Sequence, residues 1–317
     1  MEISIPMTIA IIGTGLIGPR HAKSVAADPN AALHCFVDPR AEAAAIAESC
    51  RLPWYESVQA MLQAEHHPEA AIVYGKKLIE TAKDSDRHLI AGHHRRFSPY
   101  VTAAKQALEQ GTIGRPIAVS GICVTYKPAS YCESPTEWRA GVTGGPILIN
   151  LVHDLDILQY LLGPITRVHA EKALSTRGNQ VEEGAAILLR FASGVIYASP
   201  SAHNFESGTG ENLAIPRVGK EFYRIFGSEG TLSVGDMKVS SYDDGVEKSW
   251  TSLLNEKLLA VGQQVSFNEQ VANLIDVVRG LEQPGWTGPD GLSALVVCDA
   301  VRQAMVSGQP IDTSEIM

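Results

Sequence analysis

Two domains of different class are predicted: an α/β domain over residues 1–115 built on a parallel sheet, then an α+β domain over residues 116–317 with a largely antiparallel sheet. Apolar runs and helical stretches alternate through the first part of the chain, which is the pattern of βαβ units. From about Ile117 apolar runs follow one another with few helices between them. A length of 317 residues also exceeds what one hydrophobic core of ordinary size holds.

Met7–Ile12 (MTIAII) is a short apolar strand that runs into Gly13-Thr14-Gly15-Leu16-Ile17-Gly18. A helix over 19–27 follows and is closed by the turn Asp28-Pro29-Asn30. Residues 33–37 form a second strand ending at Asp38, and 41–50 and 57–64 read as helices. Next come a buried strand at 70–74, a helix at 78–84 and a strand at 88–92. In the second half, strands are expected at 117–126, 185–191, 195–199, 222–226 and 231–234. The turn Phe191-Ala192-Ser193-Gly194-Val195 links two of them as a hairpin.

Composition excludes several classes of function. Lys plus Arg total 26 against 35 Asp plus Glu, a formal net charge of −9, so the chain lacks the electrostatic footprint of a nucleic-acid binder. No apolar run approaches the ~18 residues of a membrane span. The opening MEISIPMTIAIIG has neither a basic leader region nor a small-residue cleavage site, so a cytoplasmic location is expected. Five scattered cysteines without a CxxC pair argue against a disulfide framework and against structural zinc. His66-His67 precede Pro68 in a polar turn and no HxxxH occurs, so no metal is expected.

The glycine turn carries the first chemistry. It follows a buried strand and opens a helix, the context in which GxGxxG cradles a dinucleotide. Gly13 permits the tight turn, Gly15 lets backbone approach a pyrophosphate, and Gly18 lets helix pack closely on strand. Leu16 and Ile17 complete the loop, and the helix start offers N–H donors and a positive dipole end. Asp38, twenty residues beyond Gly18, stands where a carboxylate accepts the ribose hydroxyls of NAD and repels a 2′-phosphate. Arg40 keeps NADP open as an alternative, because an Arg there can pair with that phosphate or lie against the adenine.

Several stretches together resemble the glucose–fructose oxidoreductase / inositol dehydrogenase (Gfo/Idh/MocA) family. They are AIIGTGLIGPRHAKSV at the start, AGHHRRFSPYV at 91–101, GTIGRPIAV at 111–119, Glu137-Trp138-Arg139, Gly144-Gly145, INLVHDLDILQYLLG at 149–163 and IFGSEGTLSV at 225–234. The resemblance implies an N-terminal Rossmann domain and a C-terminal α+β domain whose open sheet serves dimerisation, giving a homo-dimer or tetramer. It also implies an NAD(P)-dependent oxidoreductase acting on a secondary alcohol of a sugar, polyol or cyclic hydroxy acid. One departure stands out. After the strand at 70–74 the family continues through a helix and a strand ending in Glu-Lys-Pro, whose lysine lies beside nicotinamide and substrate. Here Tyr74 runs straight into Gly75-Lys76-Lys77-Leu78, no Glu-Lys-Pro occurs, and a unit of roughly 30 residues is missing. Lys76 and Lys77 match exposed helical positions of the family. A catalytically silent dinucleotide-binding or dimerising member is therefore the alternative reading.

Alcohol oxidation needs a general base, and histidine, with an ordinary pKa near 6.5, suits the task. His153 is the candidate, with Asn150 three residues earlier on the same helical face. The family commonly has Asp four residues before this His, where this chain has Ile149. His94 and Arg96 follow a predicted parallel strand, beyond whose C-terminal end ligands bind, and are candidate substrate contacts. Pairing of Arg96 with an acid as a tie between the domains is an equal alternative. Trp138 and Arg139 match the family and are placed in a loop over the substrate.

Overall fold

The computed structural model describes residues 6–15, 17–64, 66, 70–73, 88–124, 127–134, 136–142, 144–175, 177–202 and 223–316. The chain divides into two compact units, Met1–Phe97 with Gln264–Leu292, and Ser98–Gln263 with Ser293–Met317. Residues 98–115, expected in the first domain, group with the second, and 264–292, expected in the second, return to the first.

In the first unit β1 (Met7–Ile12), β2 (Ala31–Val37), β3 (Trp54–Tyr55), β4 (Ala70–Val73) and β5 (His88–Ala91) form one sheet in the order β3-β2-β1-β4-β5. Every pairing is parallel. A parallel sheet has both faces covered, so its strands are apolar throughout. Ile9 and Ile11 point to one face and pack with Val25, Phe36, Val271, Leu274 and Ile275. Ala10 takes the other face with Cys35, Val37 and Met61. Val271, Leu274 and Ile275 lie on the helix Ser266–Val278, which explains why this distant segment belongs to the unit. Ser57 caps the short helix Val58–Leu62 by accepting the Ala60 amide at 3.1 Å. The helix expected at 78–84 lies outside the described residues.

The second unit is built on β6 (Pro116–Gly121), β7 (Cys123–Val124), β8 (Ile165–Lys172), β9 (Gly184–Phe191), β10 (Ile196–Ala202), β11 (Tyr223–Gly227), β12 (Gly230–Val234), β13 (Lys238–Ser241), β14 (Asn255–Leu258) and β15 (Ile311–Asp312). Its order is β14-β13-β12-β11-β6-β10-β9-β8-β15, with β7 on β10. Only the pairs of β10 with β6 and β7 are parallel. The β9–β10 hairpin turns through Gly194 at φ +87°, closed by Phe191 N–H to Val195 C=O at 3.0 Å. Alternate residues of β9 are buried, Ile187, Leu189 and Phe191 among them, while Leu188 and Arg190 face outward. The covered face packs against the helix Val152–Leu162 through Leu155, Leu158 and Leu161. Among the described residues no helix is long and apolar enough to cross a membrane.

Candidate functional site

The glycine turn of the first unit is fixed by sterics. Gly13 adopts φ +96°, a conformation that L side chains avoid, and its amide is held by the Val37 carbonyl at 2.8 Å. A Cβ on Gly18 would stand 2.2 Å from the Gly13 carbonyl oxygen, so only glycine lets the helix Gly18–Ala27 start this close to the turn. A Cβ on Gly15 would meet nothing within 4 Å, leaving open space beside that backbone. The helix has no side-chain cap at Ile17 and no acid in its first turn, so its N-terminal end keeps its affinity for an anion. Leu16 lies outside the described residues.

Asp38 is buried at the end of β2 and is held from both sides. Its Oδ2 accepts the Thr14 amide at 2.7 Å, the Thr14 hydroxyl at 2.8 Å and Arg40 Nη2 at 2.8 Å. Oδ1 accepts Arg40 Nε at 2.9 Å and the Arg40 amide at 3.0 Å. Burial pushes this carboxyl up, but the bonds from Arg40 and Thr14 together outweigh it and hold Asp38 well below the usual carboxylate range. The Arg40 side chain is otherwise exposed, so the fork can swing off the carboxylate without leaving a buried cation behind. Thr14 was not singled out in the sequence; its position between two glycines gives little side-chain signal.

His94 and Arg96 sit in the short turn of 3-10 helix after β5. Both are buried inside the first unit. The His94 ring stacks on Phe267 at 3.9 Å, His21 meets the same ring edge-on at 4.9 Å, and His93 stacks on Trp286 at 5.1 Å. Arg96 Nη2 lies 3.5 Å from Asp290 Oδ1, and its Nη1 donates to the Gly285 carbonyl at 3.5 Å. The acid partner of Arg96 thus lies within its own unit.

In the second unit a turn of π-helix, Ile147–Leu151, runs into the helix Val152–Leu162. Such turns recur at functional sites because they displace one face of a helix. Asn150 lies on the π-helical turn and His153 in the first α-helical turn, half-buried. Asp154 and Asp156 beside it are buried, and the Tyr223 hydroxyl donates to Asp154 Oδ1.

Asn150 and Arg139 line one half-open cleft together with Lys127, Tyr131, Arg177 and Glu183. Arg139 is buried, donates from Nη1 to the Tyr131 carbonyl at 3.1 Å, and lays its guanidinium 4.0 Å above the Tyr131 ring. His153 and Trp138 are not among the lining residues, and Trp138 is 48% exposed. Lys127, Arg177, Glu182 and Glu183 carry the cleft's remaining charges; the sequence places Lys127 and Tyr131 in the same loop as Trp138 and Arg139, whereas Arg177, Glu182 and Glu183 are not among its candidates. For the two acids the sequence offers only the pair Glu182-Glu183 before β9, which reads equally well as a solvated strand entry. Among the described residues no group of three or more His, Cys, Asp or Glu side chains is placed to hold a metal ion.

A family profile described as "Oxidoreductase family, NAD-binding Rossmann fold" matches residues 7–94, and one described as "GFO/IDH/MocA C-terminal domain" matches residues 101–233. The chain belongs to the Gfo/Idh/MocA oxidoreductase family. Myo-inositol 2-dehydrogenase of Thermotoga maritima is 22% identical over 360 aligned positions, covering 98% of this chain and 100% of that one. A 1,5-anhydro-D-fructose reductase of Ensifer adhaerens is 26% identical over 236 positions, covering 74% of this chain and 67% of that one. The WlbA dehydrogenase of Bordetella pertussis, solved with NADH and UDP-GlcNAcA, shares the fold at a TM-score of 0.76, with 19% identity and coverage of 97% and 98%.

Aligning 317 residues over 360 positions leaves gaps in this Gfo/Idh/MocA member. Its parallel sheet has five described strands, with β5 paired directly on β4, where two βαβαβ halves would give six. The Gfo/Idh/MocA Glu-Lys-Pro triplet is absent from the sequence, and Lys76 and Lys77 lie outside the described residues.

Proposed function

We propose that this chain is an NAD-dependent oxidoreductase that moves a hydride between the nicotinamide and a secondary alcohol carbon of a sugar, polyol or cyclic hydroxy acid. The first unit serves as the dinucleotide domain and the second as the substrate and dimerisation domain. The observation that carries the cofactor half is Asp38, kept ionised at the end of β2 beside a glycine turn with open space at Gly15. A fixed carboxylate there accepts the adenosine ribose hydroxyls once the Arg40 fork swings aside. Gly13, Gly15, Leu16, Ile17 and Gly18 take the pyrophosphate. The bound nicotinamide supplies the hydride acceptor. His153 takes the alcohol proton, Asn150 orients the hydroxyl, and Arg139 and Trp138 hold the substrate loop. His94 and Arg96, locked by Phe267 and Asp290, form the rigid base of the crevice beyond β5.

Asp38→Ala is expected to weaken NADH by about tenfold or more while NADPH loses less, since a hydrogen-bonding charge is removed and Arg40 is released toward a 2′-phosphate. Fluorescence titration with both nucleotides measures this, and an unchanged preference removes the assignment. The missing Glu-Lys-Pro lysine favours a second reading, a silent dinucleotide-binding member. Saturable NADH binding without turnover across a broad alcohol panel would establish that reading.

Dimerisation is read from the outward face of the second sheet. Phe226 pairs with Ala118, Ala118 with Ile196, and Leu188 with Ala198, placing three exposed large apolar side chains on one surface. Contiguous apolar surface of this kind marks an interface, and an isologous pair would cover it in both copies. The wild-type chain is expected to sediment as a dimer or tetramer and the double variant Leu188→Glu, Ile196→Glu as a smaller species. A monomeric wild type would remove this assignment. A cytoplasmic location completes the reading, and cell fractionation tests it.

A further inference from the structure

Asp38 receives more hydrogen bonds than it has acceptor positions. A carboxylate offers about four lone-pair sites. Five donors converge on this one, three on Oδ2 and two on Oδ1. Two of the five are the main-chain amides of Thr14 and Arg40, and a third is the Thr14 hydroxyl. The other two, Nε and Nη2, belong to the Arg40 guanidinium, whose Nη2 also stands 3.5 Å from Thr14 Oγ1. The backbone of Asp38 is fixed as well: its amide donates to the Tyr55 carbonyl at 3.0 Å, and its carbonyl accepts Trp54 Nε1 at 3.0 Å. The carboxylate is therefore held in place, and Arg40 is the member that can move. Its side chain is 55% exposed against 4% for that of Asp38, so the guanidinium lies over the carboxylate from the solvent side and turns into water at little cost. A cis-diol arriving at Asp38 needs the same acceptors, because it too presents two donors side by side.

We propose that Arg40 is a built-in competitor of the adenosine ribose: its guanidinium edge stands in for the 2′,3′-diol on Asp38, and a nucleotide binds there only by displacing it. This inference rests on the dinucleotide reading of the glycine turn and concerns how that site sets its affinity and selectivity. A nucleotide that brings the free diol binds with its affinity lowered by the strength of the Arg40–Asp38 pair. A displaced guanidinium that meets a 2′-phosphate regains a charged partner, whereas beside NADH it goes to water. Arg40 thus works against NADH and in favour of NADPH. The sign of its effect sets competition apart from simple attraction. Coulomb attraction alone makes loss of a cation beside an anionic dinucleotide weaken binding, and competition makes the same loss strengthen it.

Fluorescence titration of the full chain with NADH and NADPH, and displacement of NADH by ADP and by 2′-deoxy-ADP, compare wild type with Arg40→Ala and Arg40→Lys. Arg40→Ala is expected to bind NADH about twofold to fivefold more tightly, the range that an exposed ion pair supplies, and NADPH more weakly. The advantage of ADP over 2′-deoxy-ADP, which brings one hydroxyl in place of two, should rise in the same variant. An arginine that only stacks on adenine would leave that ratio unchanged. Arg40→Lys keeps the charge without the fork and should fall between the other two chains. It also decides the matter if near-UV dichroism shows Arg40→Ala to be misfolded. NADH binding that is unchanged or weaker in the folded variants, or an ADP to 2′-deoxy-ADP ratio that does not rise, overturns the proposal and leaves the dinucleotide site standing. Failure of every nucleotide to bind folded wild type and folded variants alike removes the dinucleotide reading and the proposal with it.

Discussion

Lowering the pH from 7 to 5 is expected to remove roughly 6 kcal/mol from the stability of the first unit, at about 1.4 kcal/mol for each of three histidines per pH unit below the free-imidazole value of about 6.5. His21 comes from the helix Gly18–Ala27 and His93 and His94 from the turn after β5, and they pack against Phe267 and Trp286. Burial pushes all three down, His21 to about 4 and His93 and His94 to about 3. Arg95 adds repulsion at both His93 and His94 and Arg96 at His93, while Asp290 opposes it at His93. The unfolded chain protonates these rings at the ordinary value near 6.5, so below that pH it takes up protons the folded unit refuses. The stability is fully present above about pH 6.5 and declines as pH falls toward 4 for His21 and 3 for the other two. Asp38, held far below the carboxylate range, begins to add its loss only below the ordinary carboxyl value of about 3.9, so it contributes nothing between pH 7 and 5 and joins the histidines only at the acid end of their range. Urea midpoints measured between pH 7.5 and pH 5, approximate bounds chosen to bracket the free-imidazole value, give the slope. His21→Leu, which removes one of the three groups, should reduce that slope by about a third. A flat profile in the wild type would mean that protons reach the rings in the folded state. A loss of this size is comparable to the whole stability of an ordinary domain.

The same cluster shows where the sequence is legible. β1, the glycine turn and Asp38 can be read because they form one local unit, in which strand, turn, helix and acid succeed one another within a short stretch. The β9–β10 hairpin is legible for the same reason, through Ser193-Gly194. Phe267 and Trp286 come from a segment nearly the whole chain away, and periodicity does not tell which sheet an amphipathic helix will cover. Trp54–Tyr55 escapes because two residues carry no alternation. β13, β14 and β15 are short and half-polar, so pairing with a neighbour rather than composition makes them strands. The cleft is legible in part. Asn150, Arg139 and, in the same loop as Arg139, Lys127 stand in recognisable stretches, but Arg177 and Glu183 reach them only through the folding of a separate segment. Arg96 shows the opposite limit: its sequence position fits substrate contact and acid pairing equally, and Asp290 reaches it only through the folding of a segment roughly two hundred residues away.

His153→Ala is expected to lower kcat by about a hundredfold to ten-thousandfold, the usual contribution of a positioned general base. Three titratable side chains occupy the start of the helix Val152–Leu162, and their burial separates them. Asp156 is wholly enclosed, and Asp154 is enclosed and engaged by the Tyr223 hydroxyl, so neither reaches a substrate hydroxyl without dismantling the core. His153 alone of the three keeps exposed surface, one turn beyond the π-helical residues that deliver Asn150 to the cleft. A ring in that position can bond on one side and exchange a proton on the other. The prediction separates catalysis from binding. Loss of a proton acceptor lowers kcat, whereas loss of an orienting contact such as Asn150→Ala should raise KM more than it lowers kcat. Added imidazole should recover part of the His153→Ala rate, because the cavity left by the ring admits a small base, while it should do nothing for Asn150→Ala. A drop smaller than about threefold, below what even weak general-base assistance supplies, would place the base elsewhere and leave His153 a structural residue of the helix.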